Sequence, residues 1–397
     1  MYLHIFNPDH DESLAHPGPD HHPSKAARGM ARDLAALPIW YAQPGDLVML
    51  PSANATEKWL KEVEALLPSV QLYRNGQSLP PIDGIEPWGW DQALHRNCLK
   101  SFPNIELPTV SVLDDIRSLS SRRTAVEILR NLREEITVSA YKDAFCGRSW
   151  WVDNKSQARP LITAYPEGII KAPWSGSGRG LYRTSGRFEP PVPQWCTRLL
   201  SSQGGFSFEP FYDKKTDFAF EFYADGGGNI HYTGLSLFFS SPNGAYAGNR
   251  IATQQRLTTL LSAGIDINLL PYLQQLCERH LAAILGKRYR GYLGIDMMLC
   301  QTDKSYPCIH PCVEMNLRRT MGYVALRLAR LVHPESEGSF LFDFDSDSRL
   351  LAARSQARAA SYPQTLKDGL LAEGYLPLTP IDGQTHFHAY LLVNKIH

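Results

Sequence analysis

Three stretches of the sequence predict an α+β fold preceded by a small α/β unit with a parallel sheet. The first hundred residues alternate short apolar runs with an amphipathic helix pattern. A lysine-led glycine loop follows at 168–181, and a ribbon bearing two carboxylates and an asparagine spans 291–322.

The opening MYLHIFNPDHDESLA reads as a short buried strand, Tyr2 to Phe6, running into a polar turn at Asn7 to Glu12. Leu47 to Leu50 and Val70 to Tyr73 read as two further strands. Between them, Asn54 to Leu67 sets Trp59, Leu60, Val63, Leu66 and Leu67 on one side of a helix. Such alternation favours parallel pairing, with functional loops beyond the strand C-termini, where the Asn7 to Glu12 turn falls. Five of the thirteen histidines (His4, His10, His16, His21 and His22) lie in the first 22 residues among Asp9, Asp11 and Glu12. Their spacing fits no standard zinc pattern, so a solvated polar loop is expected, with a substrate grip by Asn7, His10 and Asp11 as the alternative. Trp88 and Trp90 read as core, Asp91 to Lys100 as a helix, and Arg96 as a candidate partner for a carboxylate.

A chain of 397 residues with this apolar content predicts two or three domains. Lys plus Arg equals Asp plus Glu at 40 each, so no global field favours nucleic acid or an anionic membrane, and any anion site must be local. Seven cysteines scattered from Cys98 to Cys312, with no signal peptide or long apolar run, suggest a reducing cytoplasm rather than a disulfide framework. The composition leaves room for a homo-oligomer.

Ser120 and Ser121 open a helix whose Ala125, Val126, Ile128, Leu129 and Leu132 recur at helical spacing, and a domain boundary is placed near Leu119. In GIIKAPWSGSGRGL, Ile169 and Ile170 end a strand at Lys171. The loop Ser175, Gly176, Ser177, Gly178, Arg179 and Gly180 follows. Backbone N–H groups of such a loop can cradle phosphate oxygens while the lysine adds a point charge. The order of lysine and glycines matches neither a P-loop nor a dinucleotide fingerprint. In GFSFEPFYDKKTDFAFEFY, two apolar strands flank a charged turn, Asp213 to Asp217. Glu209 and Glu221 sit inside those strands and need partners. Glu209 is a candidate for a ribose hydroxyl, Glu221 for a lysine or a metal.

From Ile309 to Met315 apolar and polar residues alternate with period two, so Glu314 and Asn316 share a face, with Pro311 suited to an edge or a bulge. A symmetric turn around Ser305 sets Asp296 opposite Glu314. These hard oxygen donors suit magnesium, which completes its shell with phosphate and water. Cys308, His310 and Cys312 suggest a soft-metal site, but no fourth ligand is evident beyond Cys300. Helices are expected at Leu269 to Leu285, Gly322 to Val332 and Leu350 to Ala360, with a final strand at His386 to Val393.

In this order the motifs (strand, Lys171 and glycine loop, E-x-F at 209–211, a strand aspartate, then E-x-N at 314–316) make the chain similar to the ATP-grasp superfamily of carboxylate–amine ligases. The resemblance runs from about Ser120 to Arg330. It implies an N-terminal substrate-binding domain at 1–118, two gripping subdomains at 119–205 and 206–335, and an accessory segment at 336–397. It implies ATP and magnesium as cofactors, with Lys171 and the loop Ser175 to Gly180 on the phosphates. Glu209, Pro210 and Phe211 would then line the adenine and ribose site, with Glu221 nearby, and Asp296, Glu314 and Asn316 would hold the metal. Two departures stand out. The usual second nucleotide-binding lysine is replaced by Arg123, or its neighbour Arg122, and the arginine expected two positions before the strand aspartate is Gly294. Arg318 or Arg319 could take the latter's role. The implied activity is amide or peptide-like bond formation between a small carboxylate and an amine, with a kinase on the same fold or a non-catalytic nucleotide-binding module as alternatives.

Overall fold

The computed structural model describes the chain except residues 17, 52–54, 75, 177–179, 242–244, 303–305 and 397. Three sheets organise it. The first is parallel and four-stranded, in the order β3-β2-β1-β4, from β1 (Tyr2–Ile5), β2 (Leu47–Leu50), β3 (Gln71–Arg74) and β4 (Gly84–Pro87). The second is antiparallel, in the order β5-β8-β6-β7, from β5 (Trp150–Val152), β6 (Gly168–Lys171), β7 (Leu181–Thr184) and β8 (Phe206–Pro210).

The third sheet has nine strands. Its order is β13-β12-β9-β10-β11-β14-β17-β16-β15. They are β9 (Asp213–Asp225), β10 (Ile230–Ser240), β11 (Tyr246–Ile251), β12 (Arg290–Gln301), β13 (Cys308–Asn316), β14 (Ser336–Phe344), β15 (Thr365–Lys367), β16 (Leu370–Pro377) and β17 (Phe387–Lys395). Segment 336–397 is therefore woven into this sheet. The fold is mixed α+β with a leading parallel unit, as expected.

Strand alternation divides the two faces of the large sheet. Phe218, Phe220 and Phe222 of β9 and Leu293, Ile295 and Met297 of β12 point into a core roofed by the helices Arg122–Thr137 and Leu269–Leu285. The intervening residues, Glu221, Gly294 and Asp296, face the other way. The helix Arg122–Thr137 starts where expected because the Ser121 side chain accepts the Arg123 N–H. A second core joins Phe6, Trp40 and Trp59 to Leu376, Leu378 and Leu391, so the first and last thirds of the chain share one apolar interior.

Two expectations change. The charged stretch Asp213 to Asp217 is not the turn of a hairpin: β8 and β9 enter different sheets, and Asp213 to Asp217 already pairs with β12. The histidine-rich segment is a solvated loop only beyond the helix, where His16 and His22 are exposed. Residues His10–Ala15 form a helix, and His4 and His10 are buried against Asp46 and Asp91, at 3.0 and 3.5 Å. Distant aspartates supply what local composition could not reveal.

Phe222 is fully buried and edge-on to Phe220 and Tyr232, with centroids 6.3 and 5.7 Å away. Phe222→Ala should destabilise the protein by about 3–5 kcal/mol, read as a lower denaturation midpoint in urea.

Candidate functional site

Glu221, Asp296 and Glu314 sit on three neighbouring strands. The registers pair Glu221 with Gly294, Gly294 with Asn316, and Asp296 with Glu314. The ribbon is irregular between Asp296 and Met298, where β13, an edge strand carrying Pro311, bulges. Asn316 Nδ2 donates to Asp296 Oδ2 at 3.1 Å. Burial, then the nearby Glu314 and Glu221 charges, push the Asp296 carboxyl well above the usual carboxylate range. Burial likewise raises Glu221 to about 7, although it accepts hydrogen bonds from Thr320 Oγ1 at 2.7 Å and Ser236 Oγ at 3.3 Å. Such crowded oxygen donors fit a hard divalent cation. A Cβ at Gly294 would lie 2.8 Å from Glu221 Oε2 and 2.9 Å from Thr320 Cγ2, so no arginine fits there.

Across from this ribbon stands Lys171, at the end of β6. Its ammonium is buried and lies 2.5 Å from Glu209 Oε1 on the adjacent β8. The two halves are joined by Arg122. Its Nη1 donates to Ala172 O at 2.7 Å and Ser175 Oγ at 2.6 Å, and its Nη2 donates to Glu314 Oε1 at 2.8 Å. Arg123, the first choice from sequence, is exposed and faces the Trp151 ring at 6.0 Å. Arg122 shares the buried helix face with Ala125 and Leu129, and that spacing is the signal that singles it out.

Gly176 and Gly180 frame the glycine loop; Ser177, Gly178 and Arg179 lie outside the described residues. Gly180 has φ +69° and accepts the Ala172 N–H at 2.9 Å, which closes the loop's base. Pro210 ends β8 opposite Gly168, and Phe211 beside it is 40 % exposed, with the Arg183 guanidinium 3.9 Å above its ring.

The two arginines after the ribbon part ways. Arg318 reaches Asp11 in the N-terminal unit, with Nη2 2.9 Å from Oδ2 and Nε 3.2 Å from Oδ1. Burial would raise the Asp11 carboxyl, but the Arg318 charge outweighs it and holds the group below its ordinary value. A Cβ on Gly176 would collide with Asp11, so loop, N-terminal unit and Arg318 meet at one point. Arg319 instead clamps β4: it donates to Glu86 Oε2 at 2.6 Å and to Pro87 O at 2.5 Å, and its guanidinium lies 5.3 Å from the Tyr41 and Tyr292 rings. Asn7 and His10 turn inward, toward Gly89 and Asp91, rather than into an open site. Arg96 pairs with Asp20 at the surface.

Among the described residues, no group of three or more His, Cys, Asp or Glu side chains is gathered to cage a metal. Cys308 Sγ lies 3.6 Å from Asp143 O and Cys312 Sγ 3.6 Å from Ala125 O, so the two thiols have different neighbours.

A parallel-sheet unit, a small antiparallel sheet with a strand-end lysine, and a large sheet with a carboxylate ribbon together make the ATP-grasp fold. Solved structures agree. Biotin carboxylase from Campylobacter jejuni, in complex with β-γ-ATP, superposes with a TM-score of 0.53 over 99% of this chain and 88% of that one, at 11% identity. The biotin carboxylase domain dimer of 2-oxoglutarate carboxylase from Hydrogenobacter thermophilus, with MgADP, ADP and bicarbonate, gives 0.52 over 99% and 86%, at 11% identity. Phosphoribosylamine–glycine ligase from Thermotoga maritima gives 0.50 over 100% and 93%, at 12% identity. No protein-family model matches the sequence, and a sequence search among curated proteins gives no match. No helix among the described residues is long and apolar enough to cross a membrane.

His310 is fully buried beside Tyr212, and among the described residues neither ring nitrogen has a hydrogen-bond partner. Burial, then the Lys171 and Arg133 charges, lower its pKa to about 3. The unfolded chain therefore takes up this proton first, and the stability His310 contributes is complete above the ordinary histidine range and lost as pH falls from there toward 3. Between pH 7 and 5 the folding free energy should drop by about 2 kcal/mol through this group, and His310→Phe should remove that share of the slope in denaturation curves run across pH.

Proposed function

We propose that this protein is an ATP- and magnesium-dependent ligase that joins a small carboxylate to an amine through an acyl phosphate. The observation that carries the reading is Arg122, one guanidinium bonded to the base of the glycine loop and to Glu314 of the ribbon. It brings the lysine strand and the carboxylates within one side chain's reach, as closure on a triphosphate requires. The ATP-bound and ADP-bound structural neighbours support the nucleotide part of the reading.

A carboxylate is a poor electrophile. Transfer of the γ-phosphoryl group makes it a mixed anhydride; an amine nitrogen then bonds to the acyl carbon, the C–O bond to phosphate breaks, and phosphate leaves with the electron pair and the amine proton. Lys171, Arg122 and Arg318 would orient the phosphate oxygens and spread their charge, the larger part of catalysis in such transfers. Glu209 holds the Lys171 ammonium at 2.5 Å until phosphate competes for it. Asp296, Glu314 and Asn316 would hold magnesium, which would supply charge neutralisation at the phosphates. Glu209, Pro210 and Phe211 would border the nucleoside, with the glycine loop over the phosphates. Arg319, committed to Glu86 and β4, would position the N-terminal unit rather than touch the reacting atoms.

The test is ADP release across a panel of amino acids and short peptides offered as acid and amine. Glu314→Ala and Arg122→Ala should each lower the rate about 10² to 10³-fold, while Arg123→Ala should stay within about threefold. Full activity in Glu314→Ala removes the metal assignment. Equal losses in Arg122→Ala and Arg123→Ala remove the role given to Arg122.

A further inference from the structure

A cavity of about 440 Å³ lies between the N-terminal sheet and the start of β12, and of the residues assigned above only Arg318 and Arg319 line it. It is large enough for a small ligand. Two strand edges border it. Trp88 N donates to Ile5 O, which turns Glu86 and Trp88 toward β1 and, by strand alternation, turns the backbone groups of Ile85 and Pro87 outward. Pro87 O takes a hydrogen bond from Arg319 on this outward edge, and Ile85 lines the cavity. On the opposite wall, β12 pairs with β9 from Arg290 onward but with β13 only from Gly294, so residues 290–293 have one edge that no strand covers.

The cavity is lined by three acidic residues, Asp83, Glu86 and Glu106, and three basic ones, Arg290, Arg318 and Arg319, and the arginines differ in one respect. Arg318 is paired with Asp11 and Arg319 with Glu86. Arg290 has the hydroxyls of Tyr223 and Tyr2 and feels the charge of Glu86 from further off, but among the described residues no carboxylate lies within 4.0 Å of it. Gly294 lies four strand steps, about 13 Å, beyond Arg290 and pairs with Asn316, so the cavity wall on β12, from Arg290 to Tyr292, leads along the strand toward the ribbon. Between these ends stand Trp88, Trp90, Tyr223 and Tyr292.

We propose that this cavity is the acceptor site and takes a short peptide of two or three residues. Its free carboxylate lies on Arg290, its backbone runs along the open edge at Ile85, and its amino end lies near Arg318. A peptide fits each wall for a separate reason: edge pairing for its amides, aromatic rings for its side chains and a cation for its terminus. The reaction at its amino end rests on the ligase reading. There the nitrogen forms the new C–N bond, the acyl C–O bond breaks, and one N–H proton departs with phosphate. Binding itself does not rest on that reading.

The experiment is equilibrium dialysis of the full chain, without nucleotide, against a pool of X-Ala dipeptides and their C-terminal amides. Wild type should retain acids about tenfold better than the matching amides, as for one charged hydrogen-bonded contact. Arg290→Gln should erase that preference while leaving the thermal midpoint unchanged. Retention of no dipeptide at millimolar concentration, equal retention of acid and amide, or a preference that survives Arg290→Gln would each overturn the proposal. Peptide retention without ADP release on any acid and amine pair would leave the acceptor site standing and count against the ligase reading instead.

Discussion

The guanidinium of Arg122 is the constraint on which the rest of the site depends. It lies at the start of a helix, where the macrodipole disfavours a cation, and it is buried. It is stable there because Ala172 O, Ser175 and Glu314 accept from it, and those acceptors come from different sheets and loops. One rigid fork thus sets the distance between the lysine strand and the carboxylate ribbon. The same helix packs Ile128, Leu129 and Leu132 on the large sheet, so the fork is anchored to the deepest core of the molecule.

The carboxylate face of that sheet is also where the N-terminal unit docks. Asp11 meets Arg318, and β4 meets Arg319 and the Trp88 carbonyl accepts the Arg319 N–H at 2.9 Å. Behind Asp11, Asp91 accepts from Asn7, Ser13 and the Leu94 N–H, fixing the short helix that presents it. The buried histidines, which by composition alone suggest a metal site or a solvated loop, serve this docking.

Much of this was legible in the sequence, and the misses have physical reasons. Ser121 as a cap, the two-faced pattern of β9 and the lysine before the glycines are local features, and local features survive in a one-dimensional reading. A symmetric turn predicts the pairing of Asp296 with Glu314, yet Leu299 pairs with Ile309 and Cys300 with Cys308, two residues out of step with it. A bulge makes up the difference, and no pattern in the strand announces one. Arg122 and Arg123 are chemically alike, so only the helical face separates them. Strands β8 and β9 look like a hairpin because each is apolar and the link is charged; which sheet a strand joins is decided by partners far away. His4 and His10 escape a local reading for the same reason, since Asp46 and Asp91 lie 42 and 81 residues further on.

The indoles of Trp40 and Trp59 donate to the carbonyls of Leu378 at 2.7 Å and Pro377 at 2.8 Å, across sequence separations of 338 and 318 residues. Neither indole can find its native acceptor until Pro377 and Leu378 have been made. The N-terminal sheet can form early, but its outer apolar surface stays open until β16 arrives, the kind of late, non-local closure that slows folding and exposes intermediates to association. The first sixty residues therefore reach their final packing only after the strands from Leu370 onward have joined them.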